Sequence, residues 1–215
     1  MPHDLHGSAP DTSPVVLLLI DFINDLEFPE GPAFLKPTLA AAQNVAALKK
    51  RTKSLRIPVI YVNDNFGRWR SDFREVAERS LEKGVRGRRV AELLKPEPDD
   101  YFVLKPKHSA FFATTLDTLL RYLGARCLIL TGIAADVCVF FTANDAYMRD
   151  FGLVVPADCV ASGSVTHTKT ALAYMKRVLD ARTEPSDNLD LEGLLAEFKR
   201  ERENVGEVVA DEAAA

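Results

Sequence analysis

The stretch Val15-Val16-Leu17-Leu18-Leu19-Ile20-Asp21 decides the fold. An unbroken apolar run has no polar face, so it reads as a strand covered on both sides, as in a parallel sheet. The charged residue that ends it then stands at the strand's carboxyl end. Similar short runs recur at Ile57–Val62, Tyr101–Leu104, Cys127–Thr131 and Leu153–Val155. Helical patterns fill the gaps. Leu39, Ala42, Val45 and Ala46 mark one face of the first, and Leu116, Leu119, Leu120 and Leu123 mark the second, which stops at Gly124. A third runs from about Cys138 to Asp150, and a fourth carries Leu172, Met175, Val178 and Leu179. Strands alternating with helices predict an α/β fold: a three-layer, Rossmann-like open parallel sheet with helices on both faces.

Composition narrows the class. The chain has 215 residues, 47% of them hydrophobic, which suffices for one sizeable core. Lys and Arg number 27 against 31 Asp and Glu, so the net charge of −4 disfavours nucleic acid and acidic membranes as partners. Val15–Ile20 falls far short of the roughly 20 apolar residues of a membrane helix, and the polar first thirteen residues lack a secretion pattern. Three cysteines, Cys127, Cys138 and Cys159, are too few and too odd for a disulfide framework. The expectation is a cytoplasmic protein. Its expected organisation is a loose arm over residues 1–14, one domain over 15–183, and an extension over 184–215. That extension is expected to hold a short helix at Leu189–Lys199 and a disordered acidic end.

In open α/β sheets ligands bind beyond the carboxyl ends of the strands. Three residues of different chemistry stand there. Asp21 follows the first strand, Lys105 the third, and Cys138 lies seven residues beyond Thr131 of the fourth, where the helical pattern resumes. A thiolate attacks a carbonyl, a carboxylate moves protons, and an ammonium supports both. A helix start and a nearby lysine are expected to lower the thiol's pKa. Gly132-Ile133-Ala134-Ala135 is small enough to turn sharply and present backbone N–H groups to an oxyanion. Each residue alone has an ordinary reading as a cap, a surface charge or packing, and the set carries the signal. Cys127, inside a strand, is expected to pack.

The segments around these residues resemble one family. Val16-Leu17-Leu18-Leu19-Ile20-Asp21-Phe22-Ile23-Asn24-Asp25, Leu104-Lys105-Pro106-Lys107-His108-Ser109-Ala110-Phe111-Phe112, Thr115-Leu116-Asp117 and Leu130-Thr131-Gly132-Ile133-Ala134-Ala135-Asp136-Val137-Cys138-Val139 look like the signature of isochorismatase-like cysteine hydrolases. Nicotinamidases, N-carbamoylsarcosine amidohydrolases and ureidoacrylate hydrolases belong to that family. The resemblance runs from about Val15 to Thr183. It implies six strands in the order 3-2-1-4-5-6, with the sixth near Ala181–Thr183, and a catalytic Asp21, Lys105 and Cys138. It also implies a cis peptide at Ile133–Ala134 that turns the N–H groups of Ala134 and Cys138 into an oxyanion hole. A homodimer or homotetramer is implied as well, and the 63–100 connection, with Trp69 and Phe73, is the expected apolar contact.

Departures from the pattern are informative. Isochorismatases proper lack the cysteine, so Cys138 favours acyl chemistry. Ile23 stands where many members have Gln, and Ala135 where many have Thr. Asn63-Asp64-Asn65-Phe66-Gly67 has no histidine of the kind metal-dependent nicotinamidases carry beyond the second strand. No metal or other cofactor is therefore expected, and no histidine pair has zinc spacing. His3 and His6 fall in the arm, His108 on the rim, and His167 at a helix start as a capping or packing residue. Phe22, Trp69, His108 and Phe111 are the expected pocket residues. Residues 68–89 hold eight Arg and Lys (Arg68, Arg70, Arg74, Arg79, Lys83, Arg86, Arg88 and Arg89) against four acids. They read as a solvated helix with charge pairs, or as a cationic lid for carboxylate substrates, with Arg68 and Arg70 nearest the strand end. The expected function is hydrolysis of a non-peptide C–N bond in a small molecule. A non-covalent isochorismatase-type hydrolase and a non-catalytic binding subunit are the alternatives.

Overall fold

The computed structural model describes residues 9–65 and 72–200. Trp69, Arg68, Arg70, His3, His6, most of the arm and the acidic end lie outside them. Strands β1 (Val15–Ile20), β2 (Val59–Asp64), β3 (Tyr101–Lys105), β4 (Cys127–Ile133) and β5 (Gly152–Val154) form a parallel sheet in the order 3-2-1-4-5. A two-residue β6 (Val160–Ala161) pairs with the end of β4, at Gly132 and Ile133. The Ala181–Thr183 stretch, expected as the sixth strand, makes one bridge, Arg182 to Val154. The chain leaves β5 after three residues, so its neighbour there has little edge to follow.

Helix α1 (Gly31–Ser54) covers one face of the sheet. Helices α2 (Phe73–Ser80) and α3 (Arg88–Leu93) lie in the long β2–β3 connection. Helices α4 (Leu116–Leu123), α5 (Phe140–Tyr147) and α6 (Val165–Val178) cover the other face. The alternation of side chains along β1 explains the two layers. Val15, Leu17 and Leu19 pack with Ala41, Ala42, Val45 and Leu48 of α1, while Val16, Leu18 and Ile20 pack with Leu116, Leu120 and Leu123 of α4. Gly124 takes the left-handed conformation expected of the α4 stop. No helix among the described residues is long and apolar enough to cross a membrane.

The expected boundaries are softer than the residues that ignore them. The described part of the arm is tied down: Ser13 is buried and donates its N–H to the Leu123 carbonyl, and Asp11 accepts from the Tyr101 hydroxyl at 2.6 Å. The extension belongs to the core. Leu189, Leu191, Leu194 and Phe198 are buried with the α1 face, and Arg51 donates to the carbonyls of Ser186 and Leu189. Residues 191–200 are helical, as expected. Three apolar side chains at helical spacing, Leu191, Leu194 and Phe198, with Leu189 just before them, are enough to hold this polar segment down.

Candidate active site

Sheet register assembles the site. Ile20 lies beside both Val62 and Gly132, and Asp64 lies beside Lys105. The ends of β1, β2, β3 and β4 are therefore neighbours. Asp21 turns off β1 with φ 55°, a left-handed conformation that Asp tolerates better than most residues. Its N–H donates to Val62 O at 2.9 Å. Gly132 has φ 139°, and a Cβ there would lie 2.2 Å from the Ile20 carbonyl oxygen, so only glycine lets β4 run this close to Asp21. The Ile133–Ala134 peptide is cis, as the resemblance implies. A π-helical turn, Ala135–Val139, follows and leads into α5. Cys138 sits in that turn, partly buried.

Lys105 is the hub. Its side chain is wholly buried, and Nζ lies 2.8 Å from Asp21 Oδ2, 3.5 Å from Cys138 Sγ and 3.6 Å from Asp64 Oδ2. Asp21 Oδ1 accepts the Asp64 backbone N–H at 2.7 Å, and the Cys138 thiol hydrogen-bonds the same carboxylate. A buried ammonium is tolerable only with such partners. Burial tends to lower its pKa, but Asp21, Cys138 and Asp64 outweigh burial and hold it above the usual lysine range. Burial raises Asp21 above the ordinary carboxylate range, against the pull of Lys105. Burial and the Asp21 charge push the Cys138 thiol up to about 12, against the pull of Lys105.

This last direction corrects the sequence reading, which placed Cys138 low. The turn is buried, and the carboxylate beside the thiol offsets the lysine. The resting group is a thiol with a base already in contact. Iodoacetamide should therefore alkylate Cys138 more slowly than free cysteine at pH 7, with a rate that climbs through pH 9 and beyond. Rapid, pH-independent alkylation between pH 6 and 8 would contradict a protonated resting thiol.

The turn is held on both flanks. Asp136 accepts from the Ser162 hydroxyl at 2.5 Å, its N–H donates back to Ser162 Oγ at 3.3 Å, and His167 Nδ1 stands 3.3 Å from its carboxylate. His167 thus faces Asp136, and Ser164 caps α6. On the other flank the Thr142 hydroxyl donates to Cys138 O at 2.7 Å. Asp64, Asp136 and Thr142 were not singled out by sequence as site residues. Asp64 was findable, because it is the first charged residue after the second apolar run.

Several expected residues lie elsewhere. Phe22 is fully buried in the core on the α1 side. Phe111 is buried on the other side, 6.1 Å from the Phe151 ring and beneath the Arg149 guanidinium. Both are large apolar side chains beside strands, and the core takes them. His108 is exposed with its ring 5.6 Å from Phe141, one loop away from Lys105. Phe73, expected at a subunit contact, is buried against Tyr61 and Phe102. Cys127 and Cys159 are buried, and neither is in a disulfide. In the basic stretch, Arg79 pairs with Asp25, Arg86 with Glu27 and the Leu26 carbonyl, and Arg88 with Glu92. The first two clamp the loop that follows Asp21. Among the described residues no group of three or more His, Cys, Asp and Glu side chains could hold a metal ion.

The isochorismatase domain model matches residues 15–184. The chain belongs to the isochorismatase family. An uncharacterized isochorismatase family protein of Bacillus subtilis, YaaI, is 41% identical over 165 residues, covering 77% of this chain and 90% of YaaI. Among solved structures, N-carbamoylsarcosine amidase of Thermoplasma acidophilum is 26% identical with a TM-score of 0.62, covering 82% of this chain and 98% of that one. A pyrazinamidase/nicotinamidase of Streptococcus mutans is 27% identical with a TM-score of 0.62, covering 79% and 99%. This isochorismatase-family chain is a hydrolase; several of its relatives of named activity are amidohydrolases, and one of Bacillus subtilis, 31% identical over 81% of this chain and 56% of its own length, is an isochorismatase.

Proposed function

We propose that the chain is a cysteine amidohydrolase that cleaves a non-peptide amide or carbamoyl C–N bond of a small molecule through a thioester. The observation that carries this reading is the mutual contact of Asp21, Lys105 and Cys138 at adjacent strand ends. Asp21 accepts the thiol proton as Sγ bonds to the substrate's carbonyl carbon. The N–H groups of Ala134 and Cys138 hold the oxyanion. As the C–N bond breaks, Asp21 returns the proton to the departing nitrogen, which leaves as ammonia or an amine. A water then gives a proton to Asp21 and adds to the thioester carbonyl. The C–S bond breaks, the acid is released, and the thiolate regains its proton from Asp21. Lys105 keeps Asp21 ionised against burial and steadies the thiolate as it forms. No cofactor enters these steps. A non-covalent reaction has no use for a thiol touching both the base and the ammonium, and this favours the covalent reading.

The test is a panel of nicotinamide, ureido, N-carbamoyl and maleamate-type amides assayed for ammonia release. The expected result is saturable turnover of at least one, with an acid limb above the ordinary carboxylate range, because activity falls as pH drops through the raised pKa of Asp21. Mass spectrometry of the quenched enzyme should find an acyl group on Cys138. Turnover with no acyl-enzyme under any quench, and a wild-type rate in a variant lacking the thiol, would overturn the covalent mechanism.

A further inference from the structure

We infer that Thr142 is a positioning residue that couples the loop behind Lys105 to the turn bearing Cys138, and so fixes the ammonium-to-thiol distance. A threonine whose hydroxyl donates four residues back along a helix is commonplace. This one does more. Its Oγ1 donates to Cys138 O at 2.7 Å and also accepts the Ala110 N–H at 3.0 Å, across the gap between two elements. Thr142 and Ala110 are both fully buried, so water cannot substitute for either bond. Ala110 is held at its other end too, where its carbonyl accepts from the Thr114 hydroxyl at 2.6 Å. The loop therefore has a fixed station five residues beyond Lys105. The same oxygen that sets this station also grips the peptide of the nucleophile. The direct Lys105–Cys138 contact, at 3.5 Å, is of ordinary length for a bond to sulfur, but a thiol sulfur is a weak acceptor and cannot by itself hold the two together.

Valine has the shape of threonine without the hydroxyl. Thr142→Val removes the donor to Cys138 O and strands the Ala110 N–H. The inference rests on the proposed role of Cys138, and the experiment separates the two. Thr142→Val, Thr142→Ser and the control Thr52→Val are compared. Thr52 is equally buried and loses a bond to the Lys49 carbonyl inside α1, far from the chemistry. Turnover is measured on the fastest amide of the panel, and Cys138 alkylation by iodoacetamide is followed against pH without substrate. Thr142→Val should lower kcat by about 10- to 100-fold with KM changed by less than about 3-fold, as sub-ångström to 1 Å misplacement does. Its alkylation at pH 9 should slow by about tenfold, as the thiolate loses the lysine. Thr142→Ser should restore both, and Thr52→Val should lower stability alone. If Thr142→Val fails to fold, Thr142→Ala, which makes the same deletion in a smaller residue that favours helix, is read in its place. Wild-type kcat and alkylation in a folded Thr142→Val, or equal losses in Thr142→Ser, would overturn the inference. An active Cys138→Ala would instead overturn the reading beneath it.

Discussion

Cys138→Ala should lose turnover by about 10⁴-fold or more, the scale seen when a nucleophile is removed from a covalent enzyme. Cys127→Ala and Cys159→Ala should keep most of it. None of the three is in a disulfide, and burial raises both Cys138 and Cys159 to about 12, so intrinsic acidity does not distinguish those two. Contact does. Cys138 alone of the three touches both Asp21 and Lys105, while Cys127 is packed within β4 and Cys159 lies beside Asp158. The two core variants should be less stable, because a smaller residue in a filled core leaves a void. Thermal unfolding and single-turnover kinetics would separate the effects. A Cys138→Ala enzyme that works at the parental rate would remove the thioester from the mechanism.

Lys105→Met should be nearly as damaging, for a different reason. Methionine fills the stem's volume but takes away the charge that faces Asp21, Cys138 and Asp64. Asp21 then keeps only the Asp64 N–H and the Cys138 thiol against burial, and its pKa rises further. The acid limb of kcat/KM should move to higher pH, and the plateau should fall by about 10³-fold, within the range of acid–base and electrostatic contributions combined. Stability changes with a defined sign. A carboxyl raised in the folded state is no handicap while it is protonated in both states. It becomes one as pH climbs through the raised value. The deficit of Lys105→Met should therefore be small near pH 4 and approach about 3 kcal/mol above neutrality, the lower range for breaking a buried pair. Melting curves at several pH values test the sign, and a uniform deficit across pH would refute the pairing of Asp21 with Lys105 as its source.

Asp21 and Lys105 were legible because each ends an apolar run, and Cys138 because the helical pattern resumes at it, seven residues beyond Thr131. The sheet order came with the family resemblance, and the structure bears it out over five strands. What escaped did so for physical reasons. Strand β2 continues through the polar Asn63 and Asp64, because pairing with Leu104 and Lys105 of β3 sustains it where hydropathy does not. Strand β6 is two residues long, too short for any pattern. Five residues are too few for apolar spacing to mark a π-helical turn, so the helix was read from about Cys138 and the turn that begins at Ala135 was missed. Phe22 and Phe111 look like pocket residues from their neighbours in sequence, but their positions beside the strands send them into the two core layers. Thr142 was silent because a hydroxyl in a helix does not announce what it accepts.

The register of β1, β2, β3 and β4 has a consequence for how such an enzyme can change. The pairings Ile20 with Val62 and Gly132, and Asp64 with Lys105, measure the site in hydrogen-bond rungs. The connections between those strands do not enter that measurement. The β2–β3 connection can lengthen or shorten without changing those rungs, whereas a one-residue slip of β3 would turn Lys105 to the opposite face. Substrate choice and chemistry are thus separable parts. Recombining the β2–β3 connection between relatives is a route to new amide specificities on an unaltered catalytic frame.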